Sequence, residues 1–409
     1  MIVEKKNYLY LFSFLFLILS WKYPIKGFYG TGVRFDDFII LFGFLYFILT
    51  QRFKLLLPDF VTVMVVFTIT SLLSSIISFS YGTGVSPFKS ILFSLRHVEY
   101  LMVFYIGINL RSAHVISALK FFVIYQFVIV ILQSYGYLSF GTLFNVEQRQ
   151  VGSTGGPWEL AVIMAMPLFY FLSKRMFFYS GLSAFVLLST GSRVTIVAVL
   201  LVFLLVLVKY IFLAKNMNKK IITALLFIVF ISISVAFVVF GDVYFIERLV
   251  SLRGFEYVHF DEMYLANEIS PSQFKNYDIE YIKSVLSTVS SDASAYSRFS
   301  RWSLAIETLK SYSVIFFLTG LGPSFFGNAL DGSFLRILLT TGLLGFSLYI
   351  IFLYKIYQFI LISRSWYLMG YLFVYVFSCL FIDISFSLKA TLFLWLFLGV
   401  VYGERLKNV

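Results

Sequence analysis

Cysteine, histidine and charged residues are all scarce in this sequence. The single cysteine, Cys379, lies inside an apolar segment, which excludes an intramolecular disulfide and a thiolate metal site. The three histidines are scattered and form no metal-binding pattern. Only 13% of the residues are charged, whereas 60% are hydrophobic and 21% are aromatic, a composition that excludes a soluble domain. The chain is therefore predicted to be an all-α polytopic membrane protein with no metal and no cofactor.

The net charge of +12 has two interpretations. A basic chain is typical of nucleic-acid binding, but here the lysines and arginines collect between the hydrophobic segments, where such residues orient membrane helices. We therefore expect no nucleic-acid partner. The basic side is the cytoplasmic side by the positive-inside rule, which places both termini in the cytoplasm.

Hydropathy predicts about twelve membrane spans. Residues 1–240 hold the first nine spans and residues 331–409 hold the last three. Between spans 9 and 10, residues 241–330 form one large external loop with short helices. The segment 314–321 is apolar but too short to span, so we expect it to lie on the outer face or dip into it. The predicted spans are 7–21, 36–50, 60–80, 91–110, 114–135, 157–172, 177–189, 193–210, 220–240, 331–360, 366–382 and 387–402.

The tetrapeptide Thr190-Gly191-Ser192-Arg193 separates two of these spans and carries an arginine. A helix over the preceding residues 177–189 reaches only ~20 Å against a hydrocarbon core of ~30 Å, which predicts a turn below the membrane surface. Gly191 permits the turn, and Ser192 is a candidate cap for the next helix. A charge at this depth is a functional-site hypothesis, and the alternative is that Arg193 extends outward and only anchors a helix.

A second external element begins at Arg149 and continues through a glycine-rich turn at residues 152–156. Pro157 suits the first turn of the following helix, and Glu159 stands in the same turn. The free amides of a helix start favour anions, so this element is a candidate anion site. The alternative interpretation is a tight external loop.

Two more elements lie on the external side. Arg298 and Arg301 are three residues apart and share a helix face, although a solvated loop helix has the same pattern. Asp331 opens a long apolar helix, where an aspartate is either an N-cap or a carboxylate that faces the recess as a general base. Because arginine binds phosphate with a two-pronged fork and stays charged, four such elements on one side predict a recess for a phosphate or diphosphate.

Taken in chain order, these elements resemble the O-antigen polymerase and O-antigen ligase superfamily over roughly residues 140–360. The resemblance rests on Arg149, Gly152 and Pro157, then on Thr-Gly-Ser-Arg at 190–193 before a helix. It continues with a long external loop ending in Arg301-Trp302 and Gly320-Leu-Gly322, and with a polar Asp–Ser segment before Thr341-Gly342. The ligase branch usually carries a histidine just ahead of this last segment. The chain has Asp331-Gly332-Ser333 there, which favours the polymerase branch.

The resemblance implies a GT-C-type membrane glycosyltransferase of the bacterial cytoplasmic membrane, with its active site facing outward. It would join undecaprenyl-diphosphate-linked oligosaccharides en bloc into O-antigen or capsule, within the membrane lipid and with a chain-length regulator as a partner. Arg193 and one of Arg298 and Arg301 would bind the diphosphate, with Arg149 as a further diphosphate ligand. Asp331 is the candidate catalytic base and Glu159 the reserve.

Two alternatives remain open at this point. The sister ligase would use the same arginines to transfer a glycan to a separate acceptor. A flippase or transporter for lipid-linked oligosaccharides would need its cationic residues along a path through the membrane. The clustering of arginines near one face and the single dominant loop favour an enzyme.

Overall fold

The computed structural model describes most of the helical part of the chain. The described residues are helical or lie in turns, and they contain no strand. They comprise residues 35–50, 58–110, 112–138, 149–213, 302, 305–306, 308–326, 330–385 and 388–407.

The helices of the described residues are named here in chain order. They are α1 (Phe35–Thr50), α2 (Asp59–Ser80), α3 (Pro87–Asn109), α4 (Ser112–Ser134), α5 (Pro157–Ser173), α6 (Phe177–Ser189), α7 (Arg193–Leu213), α8 (Val314–Thr319), α9 (Ser333–Ser363), α10 (Trp366–Phe381) and α11 (Leu388–Lys407).

Four of these helices, α2, α3, α4 and α9, are long and apolar enough to cross a membrane. Helices α5, α6, α7 and α10 are also apolar but have shorter apolar segments. The protein is therefore an all-helical membrane protein in its described part. Every predicted span that falls on described residues coincides with a helix. The predicted spans 7–21 and 220–240 lie outside the described residues, and the count of twelve stays a prediction.

Helix α5 is the centre of the bundle. Fourteen of its seventeen residues are buried, and it packs against α6, α10, α11 and α7. A helix of this length rises only ~25 Å, less than the ~30 Å of a hydrocarbon core. Because the neighbouring helices bury most of α5, protein rather than lipid covers most of its length, and the short span is tolerated.

Helices α3 and α11 form the most extensive helix pair among the described residues. Glycines of α11 make this close approach possible. A Cβ added at Gly399 would lie 2.2 Å from the carbonyl oxygen of Phe104, and one at Gly403 would lie 2.2 Å from that of Ile108. Small residues four apart are typical of helix pairs that pack by backbone contact in membranes.

Helix α9 is interrupted at Gly342, whose φ of 67° and ψ of −172° are not helical. The backbone N–H groups of Leu321 and Gly322 donate to the carbonyl oxygens of Leu339 (2.9 Å) and Thr340 (3.0 Å). The segment that contains α8 therefore replaces hydrogen bonds that the break removes. The first part of α9, residues 333–341, becomes a separate short helix that leads to one end of the bundle.

Candidate functional site

The turns that the sequence analysis predicts to be external meet at one end of the bundle, which we call the outer end after its predicted orientation. It comprises residues 81–86, 149–156, 190–192, 330–332 and 382–385. Side-chain hydrogen bonds join these segments to one another and to the helices beside them. The candidate site is built from those contacts.

The turn between α6 and α7 has the bounds that the sequence predicts, because α6 ends at Ser189 and α7 begins at Arg193. Thr190 and Ser192 are buried, and Arg193 is partly buried. The hydroxyl of Thr190 donates to the carbonyl oxygen of Leu187 (2.7 Å) and accepts from the N–H of Ser192 (3.2 Å). The turn is thus held by its own side chains, and it places Arg193 at the first position of α7.

Arg149 joins the second predicted element to this turn. Its Nε donates to the carbonyl oxygen of Thr190 (3.0 Å), and its Nη2 donates to that of Gly191 (3.1 Å). These carbonyl groups directly follow the last residue of α6, and a cation is stabilising at this end of a helix. The structure therefore gives Arg149 a positioning contact with the Arg193 turn, in addition to its predicted role as a diphosphate ligand.

Two glutamines of α4 hold the glycine-rich turn. The Oε1 of Gln133 accepts the N–H groups of Val151 (3.2 Å) and Gly152 (2.9 Å), and its Nε2 donates to the carbonyl oxygen of Gly152 (3.0 Å). The Oε1 of Gln126 accepts the N–H of Ser153 (3.1 Å), and its Nε2 donates to the Ser153 hydroxyl. The sequence analysis missed both residues. Their signal is two amides seven residues apart in the largely apolar second half of the helix.

Replacement of Gln126 by leucine should destabilise this turn. The Gln126 side chain is fully buried, so the substitution leaves the N–H and hydroxyl of Ser153 buried without their partner, at a cost of about 1–3 kcal/mol. We expect a lower apparent Tm in detergent. Val128→Leu, on the exposed face of the same helix, is the matched control and should leave the Tm unchanged. An equal Tm for both variants would contradict this role.

Glu159 has a local structural contact. It is fully buried on the first turn of α5, and its Oε2 accepts the N–H of Gly155 (2.9 Å). Lys389 of α11 also approaches this turn, because its Nζ lies 3.4 Å from the carbonyl oxygen of Ser153, and only 2% of the residue is exposed. A buried carboxylate and a buried ammonium therefore both contact the glycine-rich turn.

A second group of charged residues lies where α9 begins. Arg336, a residue that the sequence analysis missed, forms an ion pair with Asp383 of the turn between α10 and α11. Its guanidinium lies 5.6 Å from the ring centre of Phe93. Ser333, one turn before Arg336, donates to the carbonyl oxygen of Ile382 (3.2 Å) and accepts the N–H of Ser385 (2.9 Å).

Asp331 does not cap α9. The helix begins at Ser333, two residues after Asp331. Its N-cap residue is Gly332, so no side chain caps this end of the helix. The carbonyl oxygen of Asp331 accepts the indole N–H of Trp302 (2.6 Å), and Asp331 itself is partly exposed. The predicted N-cap role of Asp331 is therefore wrong. Its predicted role as a general base that faces the recess stays a prediction.

The Gly320-Leu-Gly322 motif of the resemblance has a packing role in this structure. A Cβ at Gly320 would lie 2.3 Å from the backbone of Thr340, next to the break in α9. The hydroxyl of Ser78 donates to the carbonyl oxygen of Leu321 (2.6 Å). The motif thus packs between the break in α9 and helix α2.

The remaining predicted ligands, Arg298 and Arg301, lie outside the described residues. Within the described part of the chain, no three or more His, Cys, Asp or Glu side chains are grouped for a metal ion. No protein-family model matches the chain, and no curated protein sequence matches it.

Proposed function

We propose that this chain is a membrane glycosyltransferase that polymerises undecaprenyl-diphosphate-linked oligosaccharide repeat units into O-antigen or capsule. It acts without a metal on the outer face of a bacterial cytoplasmic membrane and has about twelve spans in a GT-C-like arrangement. Its partners are the lipid-linked oligosaccharide, the membrane lipid and a chain-length regulator protein.

One observation carries the proposal. The guanidinium of Arg149 donates to the two carbonyl groups of the turn that leads into Arg193. Two arginine-bearing elements, whose bonded residues are 41 and 42 positions apart in the sequence, are therefore in direct contact. Lys389, from a third element, approaches the loop that follows Arg149. The grouping of these cationic side chains at one end of the bundle supports an anion-binding recess. A flippase would instead require cationic side chains along a path through the bundle.

The proposed chemistry needs positive charge where the diphosphate leaves. Arg193, Arg149, Arg298 and Arg301 are the proposed ligands of that group. Donors that are fixed before the reaction stabilise developing negative charge without reorganisation, and they act more strongly where water is excluded. The attacking hydroxyl of the acceptor sugar must also lose a proton, for which a carboxylate of the same end is suited.

The experiment that tests the proposal uses the purified full-length protein in detergent or nanodiscs with undecaprenyl-diphosphate-linked repeat units alone. We expect a ladder of products that differ by one repeat unit, with release of undecaprenyl diphosphate. The Arg193→Ala protein, prepared in the same way, is the control for contaminating activity.

Other outcomes would contradict polymerisation in distinguishable ways. A product that forms only when a separate acceptor is added identifies a ligase. Movement of the substrate between the leaflets of a proteoliposome, without a new glycosidic bond, identifies a transporter.

A further inference from the structure

The ion pair between Arg336 and Asp383 is asymmetric. Only 1% of the Arg336 side chain is exposed, whereas 16% of the Asp383 side chain is. The cation therefore lies behind the carboxylate, in the interior of the bundle, and the carboxylate is the member of the pair that a ligand can reach. Burying an arginine is strongly unfavourable unless a partner compensates for its charge, so the ion pair holds the Asp383 carboxylate against Arg336.

Ser333 supports the same carboxylate from the side. Its hydroxyl lies 3.5 Å from the Oδ1 of Asp383, and it also contacts the backbone on both sides of this residue, at Ile382 and Ser385. The backbone N–H of Ser333 donates to the carbonyl oxygen of Ile382 as well (3.2 Å). The short turn that carries Asp383 is thereby attached to the first turn of α9. A reacting group needs this kind of support to hold its geometry.

We infer that Asp383 is the carboxylate that accepts the proton of the attacking hydroxyl, with Arg336 and Ser333 as its positioning residues. This inference rests on the proposed function. The hydroxyl oxygen of the acceptor sugar forms a bond to the anomeric carbon of the donor. The bond from that carbon to the diphosphate oxygen breaks, and its electron pair leaves with the diphosphate. The hydroxyl proton passes to the Asp383 carboxylate and then to water.

The other carboxylates of the outer end are less suited to this step. Glu159 is fully buried and accepts a backbone N–H of its own turn. Asp331 lies in the coil before α9. Asp383 combines an exposed edge with a buried cation and a hydroxyl that orient it. A base paired with arginine is sufficient, since the hydroxyl becomes strongly acidic once its oxygen bonds to the anomeric carbon.

The test compares Asp383→Asn with the wild-type protein in the polymerisation assay. Asparagine keeps an oxygen for Arg336 and Ser333 but cannot accept the proton. We expect kcat to fall at least 100-fold, with the Kd for the lipid-linked donor changed less than threefold. Asp331→Asn should lose much less activity. Asp59→Asn is the matched control, because Asp59 also forms an ion pair, with Lys355, at the opposite end of the bundle (2.9 Å).

A double variant separates catalysis from charge balance. If Asp383 only compensates for Arg336, then Arg336→Met with Asp383→Asn removes both charges and should restore folding and activity together. We expect this double variant to be folded, with a wild-type elution volume on gel filtration, and to remain inactive. Activity in the double variant, or in Asp383→Asn, would overturn the assignment of Asp383. A wild-type protein that forms no ladder would instead overturn the proposed function.

Discussion

Replacement of Arg193 by alanine should abolish polymer formation while the protein still inserts in the membrane. Arg193 begins α7 directly after a buried turn, and this turn is fixed by Arg149. Removing one fixed donor to a leaving group typically costs 10²–10³-fold in rate, roughly 3–4 kcal/mol of transition-state stabilisation. The measurement is the product ladder in vitro and the length distribution of surface polysaccharide in a deletion strain that expresses the variant.

Two further variants make the Arg193 prediction specific. Arg193→Lys keeps the charge but loses the planar fork, so we expect at least tenfold less product than from the wild type. Arg405→Ala is the matched control, because Arg405 is an exposed arginine in the last turn of α11. It should polymerise like the wild type. Normal chain lengths from Arg193→Ala at a normal expression level would show that this residue only anchors a helix.

The bounds of α6 and α7 illustrate what can be read from hydropathy alone. Residues 177–189 are mostly apolar and contain no charged residue, and Gly191 marks a turn, so the predicted end of α6 agrees with the structure. The glycine has a φ of 58°, a conformation that favours this residue over others. The strong local signal and the local conformation agree here, and no distant contact is needed to place the turn.

Distant contacts decide the parts that the sequence analysis missed. Arg336 lies in a segment that hydropathy predicts to be one continuous span, and its partner Asp383 is 47 residues further along the chain. Lys389, six residues after Asp383 in the sequence, approaches the carbonyl oxygen of Ser153 on a third segment in the structure. A charge in a span signals that some partner exists, and only the packing of α9 against the turn before α11 determines which one.

The break in α9 was hidden for a related reason. Hydropathy is continuous through Gly342, and a glycine within a helix is common in membranes. The interruption depends on Leu321 and Gly322, which supply N–H groups to the carbonyl oxygens of α9. A hydropathy average covers one stretch of the chain at a time. It cannot detect a hydrogen bond between residues 321–322 and residues 339–340.

Replacement of Gly342 by alanine should therefore have a large effect on folding. An added Cβ would lie 2.2 Å from the carbonyl oxygen of Leu318 and 2.5 Å from the backbone N of Thr319. These are backbone atoms that cannot rotate away, and the positive φ with ψ near 180°, a region populated almost only by glycine, adds a conformational penalty of roughly 1–3 kcal/mol. We expect a total loss of about 4 kcal/mol or more, measured as a strongly lowered Tm in detergent or as loss of the monodisperse peak.

The matched control for Gly342→Ala is Gly181→Ala in α6. A Cβ at Gly181 meets no atom within 4 Å, and the residue is helical, so alanine should raise stability by about 0.4–1 kcal/mol. The same substitution is expected to lower stability at Gly342 and to raise it at Gly181. The reason is that the added methyl group meets backbone atoms at Gly342 and open space at Gly181. A Gly342→Ala protein as stable as the wild type would mean that α8 does not pack against the break. In that case the first part of α9, which carries Ser333 and Arg336 to the outer end, would be held by its other contacts. These are the bonds of Ser333 and Arg336 to residues 382–385 and the bond of the Ser74 hydroxyl to the carbonyl oxygen of Thr340.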